Sequence, residues 1–582
     1  MERLQVNEVL RDLRERTRSK AGSGGAETGD VHPPSRDELL RHRWDALEAS
    51  WTTIIKDPAQ RKAVYSAYSE TVPSHPSVIF YESMSGAKIM DSPYAICDEI
   101  LSRPDVYGAD RLHVWSVGSD ERIPPRFEGR HDVVFVRRHT REYMYLLTRA
   151  AYIIGNSVLP EYFVRKPDQA YLNTWHGIGY KTLGRTADNP LGASLSVTNM
   201  LQATHVTSPC SFMTETLLTG FSMRHTYTGM LAEVGYPRID TTLNATDAEK
   251  ERLRKHLRLD PRKRTIVYAP TWRDGAGRDN FDFERLDTDL EALANLDVNA
   301  IFLPHHIMTR NRDFSTVKGL VVPPSDTNTN LLLSLCDLLI TDYSSIFFDF
   351  LPLGRPIVHY VYDHEKYSAA RGLTLSLDEL PGTIALTVAD LLEGITDGLS
   401  AGWEPSPAYR AAVSRFSPFD DGHSSSRVIR WFFGGDDSSV RLVQGIGARR
   451  RVVFWGGRME GEAENAEFLS RVRREVQRDV SDVTVLVARS VSSDDTVVAA
   501  LRDLGPSISV VCRNNYTFGM TEEEDHARGQ ASKSEGRAAR RLYDRIYERE
   551  YRRIFGDTQF DDVVLHPNLS HFWKKLAGYA SA

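Results

Sequence analysis

The sequence predicts an α/β protein with two doubly wound domains and a third, partial α/β domain. Three observations carry this. From about residue 77, short apolar runs end in polar or glycine residues: "SVIFYES", "HVWSV", "DVVFVRR", "AYIIGNS" and "AYLNTWHG". Buried parallel strands have this texture, because both faces of the sheet are covered. A second series starts near residue 203 with "ATHVTSP" and continues through "TIVYAPTW", "NAIFLPHH", "LVVPP", "DLLITDYSS" and "PIVHYVYD". After a break at "GGDDSSV", "RRRVVFWGGR" opens a third series that continues through "VTVLVAR" and "ISVVCRNNYTFGM". In open parallel sheets ligands bind beyond the carboxyl ends of the strands. His, Thr, Trp, Asp and Ser concentrate at those ends here.

The bulk composition fits this class. A chain of 582 residues exceeds what one core supports and suggests several domains. Its 41% hydrophobic and 26% charged residues are ordinary for a soluble protein. A net charge of -7 argues against nucleic acid as the main partner. The four cysteines lie far apart without a CxxC pair, which speaks against a disulfide framework or a structural zinc and for a reducing compartment. No apolar run of membrane-spanning length and no signal-peptide core are seen, so a soluble, intracellular protein is expected.

Residues 1–36 read as a charged helix over 1–19 followed by a flexible linker. Residues 37–76 form an amphipathic helical segment, opened by a capping-box pattern at Ser35 and Glu38. Its stripe, Leu40, Trp44, Leu47, Trp51 and Ile54, suits either packing on the body of the protein or lying on a membrane surface. Residues 77–205 and 206–435 are the two main domains, and 446–582 the third.

Four stretches carry candidate chemistry. In "LLITDYSSIFFDF" a strand ends in Asp342, and Ser344 and Ser345 fall at the first turn of a helix. Unpaired backbone N–H groups and two hydroxyls there suit a pyrophosphate, although the same turn also reads as ordinary helix capping. "YAPTWRD" brings Thr271 and Arg273 to a strand end, a hydroxyl and a guanidinium suited to a nucleotide diphosphate. "NAIFLPHH" places His305 and His306 after a strand, where one imidazole would neutralise a diphosphate or donate a proton. No acidic or cysteine partners stand at metal-ligand spacing beside them. Finally, "NTWHGIGYKT" misses the spacing of a phosphate-binding P-loop. It suits His176 as a general base, with Gly177 allowing close approach of an acceptor and Lys181 binding its phosphate.

Together these residues resemble the CDP-glycerol:polyglycerophosphate glycerophosphotransferase family of teichoic-acid and capsule polymerases. The resemblance spans roughly 77–432 and rests also on "FYESMSGAKIMDSP" (Glu82, Ser85, Gly86, Asp91), Asn156, "GYPRID", "RPIVHYVYD", "RGL", Pro381-Gly382 and "DDGHSSSR". It implies a GT-B-like pair of Rossmann-type domains, acceptor-side over 77–205 and CDP-polyol-binding over 206–435. It implies His176 and His305 as catalytic residues. Ser344, Ser345, Asp342, Thr271, Arg273 and His306 would be donor contacts, and Gly177, Lys181, Glu82 and Ser85 acceptor contacts. "IGY" at 178–180 departs from the family's Thr-Pro-Leu character, and "LPHH" lacks the basic residue before the second histidine.

The implied reaction is transfer of a polyol phosphate from CDP-glycerol or CDP-ribitol to a lipid-linked or growing polyol-phosphate acceptor, with release of CMP. The implied place is the inner face of the cell membrane, on an anionic surface. No cofactor is required by this residue set, and Mg²⁺ stays open without being indicated. The alternatives are a GT-B nucleotide-sugar glycosyltransferase or a non-catalytic scaffold of wall synthesis. Residues 446–582 resemble the acceptor half of a fused glycosyltransferase, with Arg513, Asn514 and His566 as its polar candidates.

Overall fold

The computed structural model describes residues 51–581 apart from 109, 119–120, 188, 274–281, 306, 309–311, 315–316, 318, 447 and 515–536. The helix expected over 1–19, the linker, the stripe residues Leu40, Trp44 and Leu47, and His306 lie outside the described residues. The described chain forms two compact bodies. One gathers 51–89, 100–172 and 537–553; the other gathers 90–99, 173–514 and 554–581. Residues 173–205 thus cluster with the second body. Among the described residues no helix is long and apolar enough to cross a membrane. The four cysteines are buried and form no disulfide among the described residues.

The first body is built on β1 (His75–Glu82), β2 (Leu112–Val117), β3 (Val133–Arg137) and β4 (Ala150–Gly155), all parallel and neighbours in the order β4-β1-β2-β3. The expected apolar runs are these strands. The helix Pro58–Thr71 starts where proline costs nothing, and the Asp57 carboxylate accepts the N–H groups of Ala59 and Gln60. Trp51 stacks on Tyr68 at 6.2 Å and meets the edge of Tyr145 at 5.7 Å. Of the two readings of that segment, Trp51 follows packing.

At the carboxyl end of β1 the "ESMSG" motif turns sharply. Met84 and Ser85 have φ of 49° and 56°. Met84 N donates to Asn156 Oδ1 at 2.9 Å and Ser85 N to Ser157 Oγ at 2.7 Å. Gly86 is required: a Cβ there would lie 2.4 Å from Ser116 Oγ. Glu82 is buried, 3.3 Å from Arg138, and accepts the Tyr143 hydroxyl at 2.6 Å. Arg138 also donates to the carbonyls of Ser85 and Val158. Glu82, expected to contact acceptor, therefore faces inward and holds this turn, whereas Ser85 is half-buried on it.

The first body ends its second stretch within β5 (Ala170–Asn173), and the second body holds three groups of strands. β6 (His205–Ser208) and β7 (Met230–Glu233) are parallel, and β14 (Arg441–Leu442) pairs antiparallel with β7. A six-stranded parallel sheet has the order β10-β9-β8-β11-β12-β13. Its strands are β8 (Thr265–Ala269), β9 (Asn299–Phe302), β10 (Leu320–Val321), β11 (Leu338–Thr341), β12 (Ile357–Tyr360) and β13 (Thr383–Ala385). A third parallel sheet, β17-β16-β15-β18, comprises β15 (Arg450–Gly457), β16 (Ser481–Ala488), β17 (Ser509–Arg513) and β18 (Asp562–Leu565).

"ATHVTSP", expected to open the second series, forms β6 but stays outside the six-stranded sheet. An apolar run fixes that a strand forms, not which neighbour it pairs with. β13 was not anticipated, having only three residues. Replacing Glu82 by Ala leaves Arg138 buried beside an empty site. It is expected to lower stability by about 3–5 kcal/mol, read as an earlier urea midpoint for the first body.

Candidate functional site

Three adjacent strands, β9, β8 and β11, end side by side and deliver His305, Thr271 and the turn Asp342–Ser345. Asp342 ties two of these ends together. Its buried carboxylate accepts Thr271 N–H at 2.9 and 3.0 Å and Arg273 Nη1 at 2.8 Å. Arg273 also donates to Thr271 O at 2.7 Å and, through Nε and Nη2, to both oxygens of Asp363 at 2.8 and 3.1 Å.

Tyr343 and Tyr367 stack at 3.9 Å, and the guanidinium sits 5.0 Å from each ring centroid. Burial opposes the Arg273 charge, but Asp342 and Asp363 outweigh it and raise its pKa. Asp342 and Arg273 stand where the sequence placed them, yet their polar atoms are spent inside the protein. They frame the site. Thr271 is different: among the described residues its buried Oγ1 has no hydrogen-bond partner.

Ser344 Oγ accepts Ile346 N–H at 3.4 Å, and Ser345 directly precedes the helix Ile346–Phe350, so the serine turn forms as expected. His305 follows β9, is half-buried, and opens a helical turn through Met308 N–H to its carbonyl.

His176 is the only exposed residue between Tyr171 and Tyr180. The backbone reaches it through Trp175, at φ 53°, whose N–H donates to Asn173 Oδ1 at 2.9 Å. The Trp175 ring lies 4.1 Å from the imidazole and packs on Phe221 at 4.6 Å. Gly177 is pressed against the serine turn. A Cβ there would lie 3.2 Å from Ser345 Oγ and 3.9 Å from Arg238 Nη2.

The rest of "HGIGYKT" is clasped to residues 372–374. Thr374 donates from N to Tyr180 O at 3.0 Å and from Oγ1 to Gly179 O at 2.8 Å. Lys181 bridges Leu373, with its ammonium 5.6 Å from the Tyr367 ring. Tyr180, one of the departures from the family pattern, packs its ring edge-on against Phe347 at 5.6 Å.

Sequence reasoning quoted "GYPRID" without giving Arg238 a task. Its buried guanidinium forms a bidentate pair with Asp349 at 2.7 and 2.7 Å, lies 3.3 Å from Asp91, and stacks over Tyr236 at 4.3 Å. The signal was present only as separate motifs: Asp349 is 111 and Asp91 147 residues away. "DDGHSSSR" locks to the same motif. Asp240 accepts the N–H groups of Ser424 and Ser425, and Asp420 accepts that of Tyr236. Among the described residues no group of three or more His, Cys, Asp or Glu is arranged to hold a metal ion.

Burial, with the nearby carboxylates of Asp349 and Asp240, pushes Asp420 up to about 7. A raised carboxyl favours the protonated folded state, so its stability is present below the unfolded pKa and is lost as pH rises through about 7. Asp420→Asn keeps an acceptor for Tyr236. It is expected to stabilise the protein at pH 8 relative to pH 5 by on the order of 2–4 kcal/mol, measured as midpoint shifts at the two pH values.

The chain resembles known proteins over the same region. It is 29% identical over 381 residues to a teichoic acid poly(glycerol phosphate) polymerase of Bacillus spizizenii, covering 62% of this chain and 93% of that one. Against the corresponding Bacillus subtilis polymerase it is again 29% identical but spans 49% of that protein. A teichoic acid ribitol-phosphate polymerase of Staphylococcus aureus is 27% identical over 305 residues, which cover 50% of this chain and 52% of that one. The solved structure of the wall teichoic acid polymerase TagF superposes with a TM-score of 0.56 at 24% identity, over 69% of this chain and 97% of that one, a likeness of fold. The α/β class with parallel sheets expected from the sequence is the class found. The model of CDP-Glycerol:Poly(glycerophosphate) glycerophosphotransferases matches residues 64–434, and with more than half of its length inside that match the chain belongs to this family of transferases.

Proposed function

We propose that this transferase moves a polyol phosphate, glycerol phosphate first, from a CDP-polyol to a hydroxyl of a lipid-linked or growing polyol-phosphate chain, releasing CMP. The observation that carries the reading is the contact of Gly177 with Ser345. A Cβ on Gly177 would lie 3.2 Å from Ser345 Oγ, and this close approach supports a role at the serine turn for the neighbouring His176, the one exposed residue of the 171–180 stretch.

His176 takes the proton of the acceptor hydroxyl. The oxygen attacks the phosphorus of the transferred group, and the bond to the CMP oxygen breaks in line. Ser344, Ser345 and the N–H groups of their turn receive the charge on the leaving phosphate. Thr271 Oγ1, without a hydrogen-bond partner among the described residues, adds a donor, and His305 serves as the second imidazole at the pyrophosphate. Asp342 and Arg273 fix these groups without touching the reacting atoms.

Lys181 and Ser85 are assigned to acceptor phosphates, and Glu82 to holding the Ser85 turn. Residues 77–205 are assigned to the acceptor side and 206–435 to the donor. A lipid-linked acceptor sets the reaction at the inner, anionic face of the cell membrane, with the protein in the cytoplasm. CDP-glycerol stands before CDP-ribitol because the poly(glycerol phosphate) polymerases are matched over more of the chain than the ribitol-phosphate polymerases.

The test measures CMP release from CDP-glycerol and CDP-ribitol, with UDP-glucose as control, given a glycerophosphate-primed lipid. The expected result is acceptor-dependent CMP release that falls about 10²–10⁴-fold in His176→Ala. Release of UDP, or full activity in the His176 variant, overturns the reading.

A further inference from the structure

The third sheet of the second body has the strand order in which an open α/β domain usually takes a ligand beyond its strand ends. In this chain the ends of β16 and β17 are tied to residues 191–194. Arg489, just past β16, donates from Nη1 to Leu191 O at 3.1 Å and to Ser194 Oγ at 2.9 Å. Ser194 Oγ donates to Oδ1 of Asn514, just past β17, at 2.8 Å. Leu191 is buried within the apolar core of this domain.

Further ties run along the same segment. Ser222 exchanges hydrogen bonds with Val510 and accepts at its carbonyl from Ser509. His225 pairs with Asp482 at 2.9 Å, Thr226 with Thr484 at 2.9 Å, and Thr558 Oγ1 donates to Thr226 O at 2.6 Å. His566, offered by the sequence as a site residue, is buried and bonded to Asn465 and to Asn568 N–H.

The tie nearest the chemistry is Arg185, four residues beyond Lys181. It is buried, and its guanidinium ends on Leu501 O at 3.1 Å and Gly505 O at 2.6 Å, at the carboxyl end of the helix Asp495–Arg502. That helix end carries the negative pole of the dipole. Burial alone lowers the Arg185 pKa to about 10; no carboxylate contributes. Just before it, Gly184 at φ 56° leaves no room for a side chain, since a Cβ would lie 1.9 Å from Gly220 O. Residues 183–185 are therefore pinned from two sides.

We infer that Arg185 is a positioning residue through which the third α/β domain braces the His176–Lys181 loop against the serine turn, so that this domain acts as a support for transfer and not as a second catalytic unit. The inference rests on the reading of His176 as the base. Loss of the tie would let the loop drift, and small misplacements of a base cost rate far more than they cost ground-state binding.

Arg185→Met, Arg185→Lys and Ser222→Ala test this in the full chain. Ser222→Ala breaks ties of the same interface without touching the loop. The readouts are kcat and KM for CDP-glycerol, and backbone hydrogen exchange over 176–186. In Arg185→Met, kcat is expected to fall about 10–100-fold with donor KM within about threefold, and exchange over 176–186 to rise about tenfold while β16 is unchanged. Arg185→Lys recovers part of both, and stands in if the Met variant fails to fold. Ser222→Ala lowers the thermal midpoint and leaves kcat within about twofold. Unchanged exchange over 176–186, or kcat falling in step with the thermal midpoint in both Arg185→Met and Ser222→Ala, overturns the inference. A wild-type chain that turns over no CDP-polyol sinks the functional reading, while the exchange experiment still decides the brace.

Discussion

The candidate site depends on the carboxylate of Asp342. Two strand ends meet at it: Thr271 arrives from β8 and the serine turn departs from β11, and one buried anion fixes both. A lone carboxylate in that position would be costly, and its charge is met by Arg273, which Asp363 and the Tyr343–Tyr367 stack hold in place. The hydroxyls of Thr271, Ser344 and Ser345 lie at the two strand ends that this anion holds together.

Much of this was legible in the sequence. Runs such as "TIVYA" and "LLIT" announce buried parallel strands, and the residues that follow them are at the strand ends as expected. The serine turn and the unusual setting of His176 were also readable, because each depends on a few adjacent residues. Roles were harder. Asp342, Arg273 and Glu82 look like ligand contacts when seen as chemical types, and only their partners reveal that they are already engaged. Those partners are remote: Asp363 lies 90 residues from Arg273, and Tyr143 lies 61 from Glu82.

Arg238 illustrates the same limit from the opposite side. Nothing local distinguishes it from a surface arginine following a proline. Its importance comes from Asp349 and Asp91 converging on it, with Tyr236 beneath. Two carboxylates against one guanidinium leave the cluster net negative. Asp420, packed nearby, is raised first by its burial and then by the Asp349 and Asp240 carboxylates.

The clasp between residues 179–182 and 372–374 has a kinetic meaning. His176, Gly177, Thr271 and Ser345 all belong to one compact body, although the chain reaches His176 long before it reaches the serine turn. The separation of His176 from the serine turn is thus an internal dimension of that body. A transferase built this way can exchange one substrate for the next while the spacing of these groups stays constant.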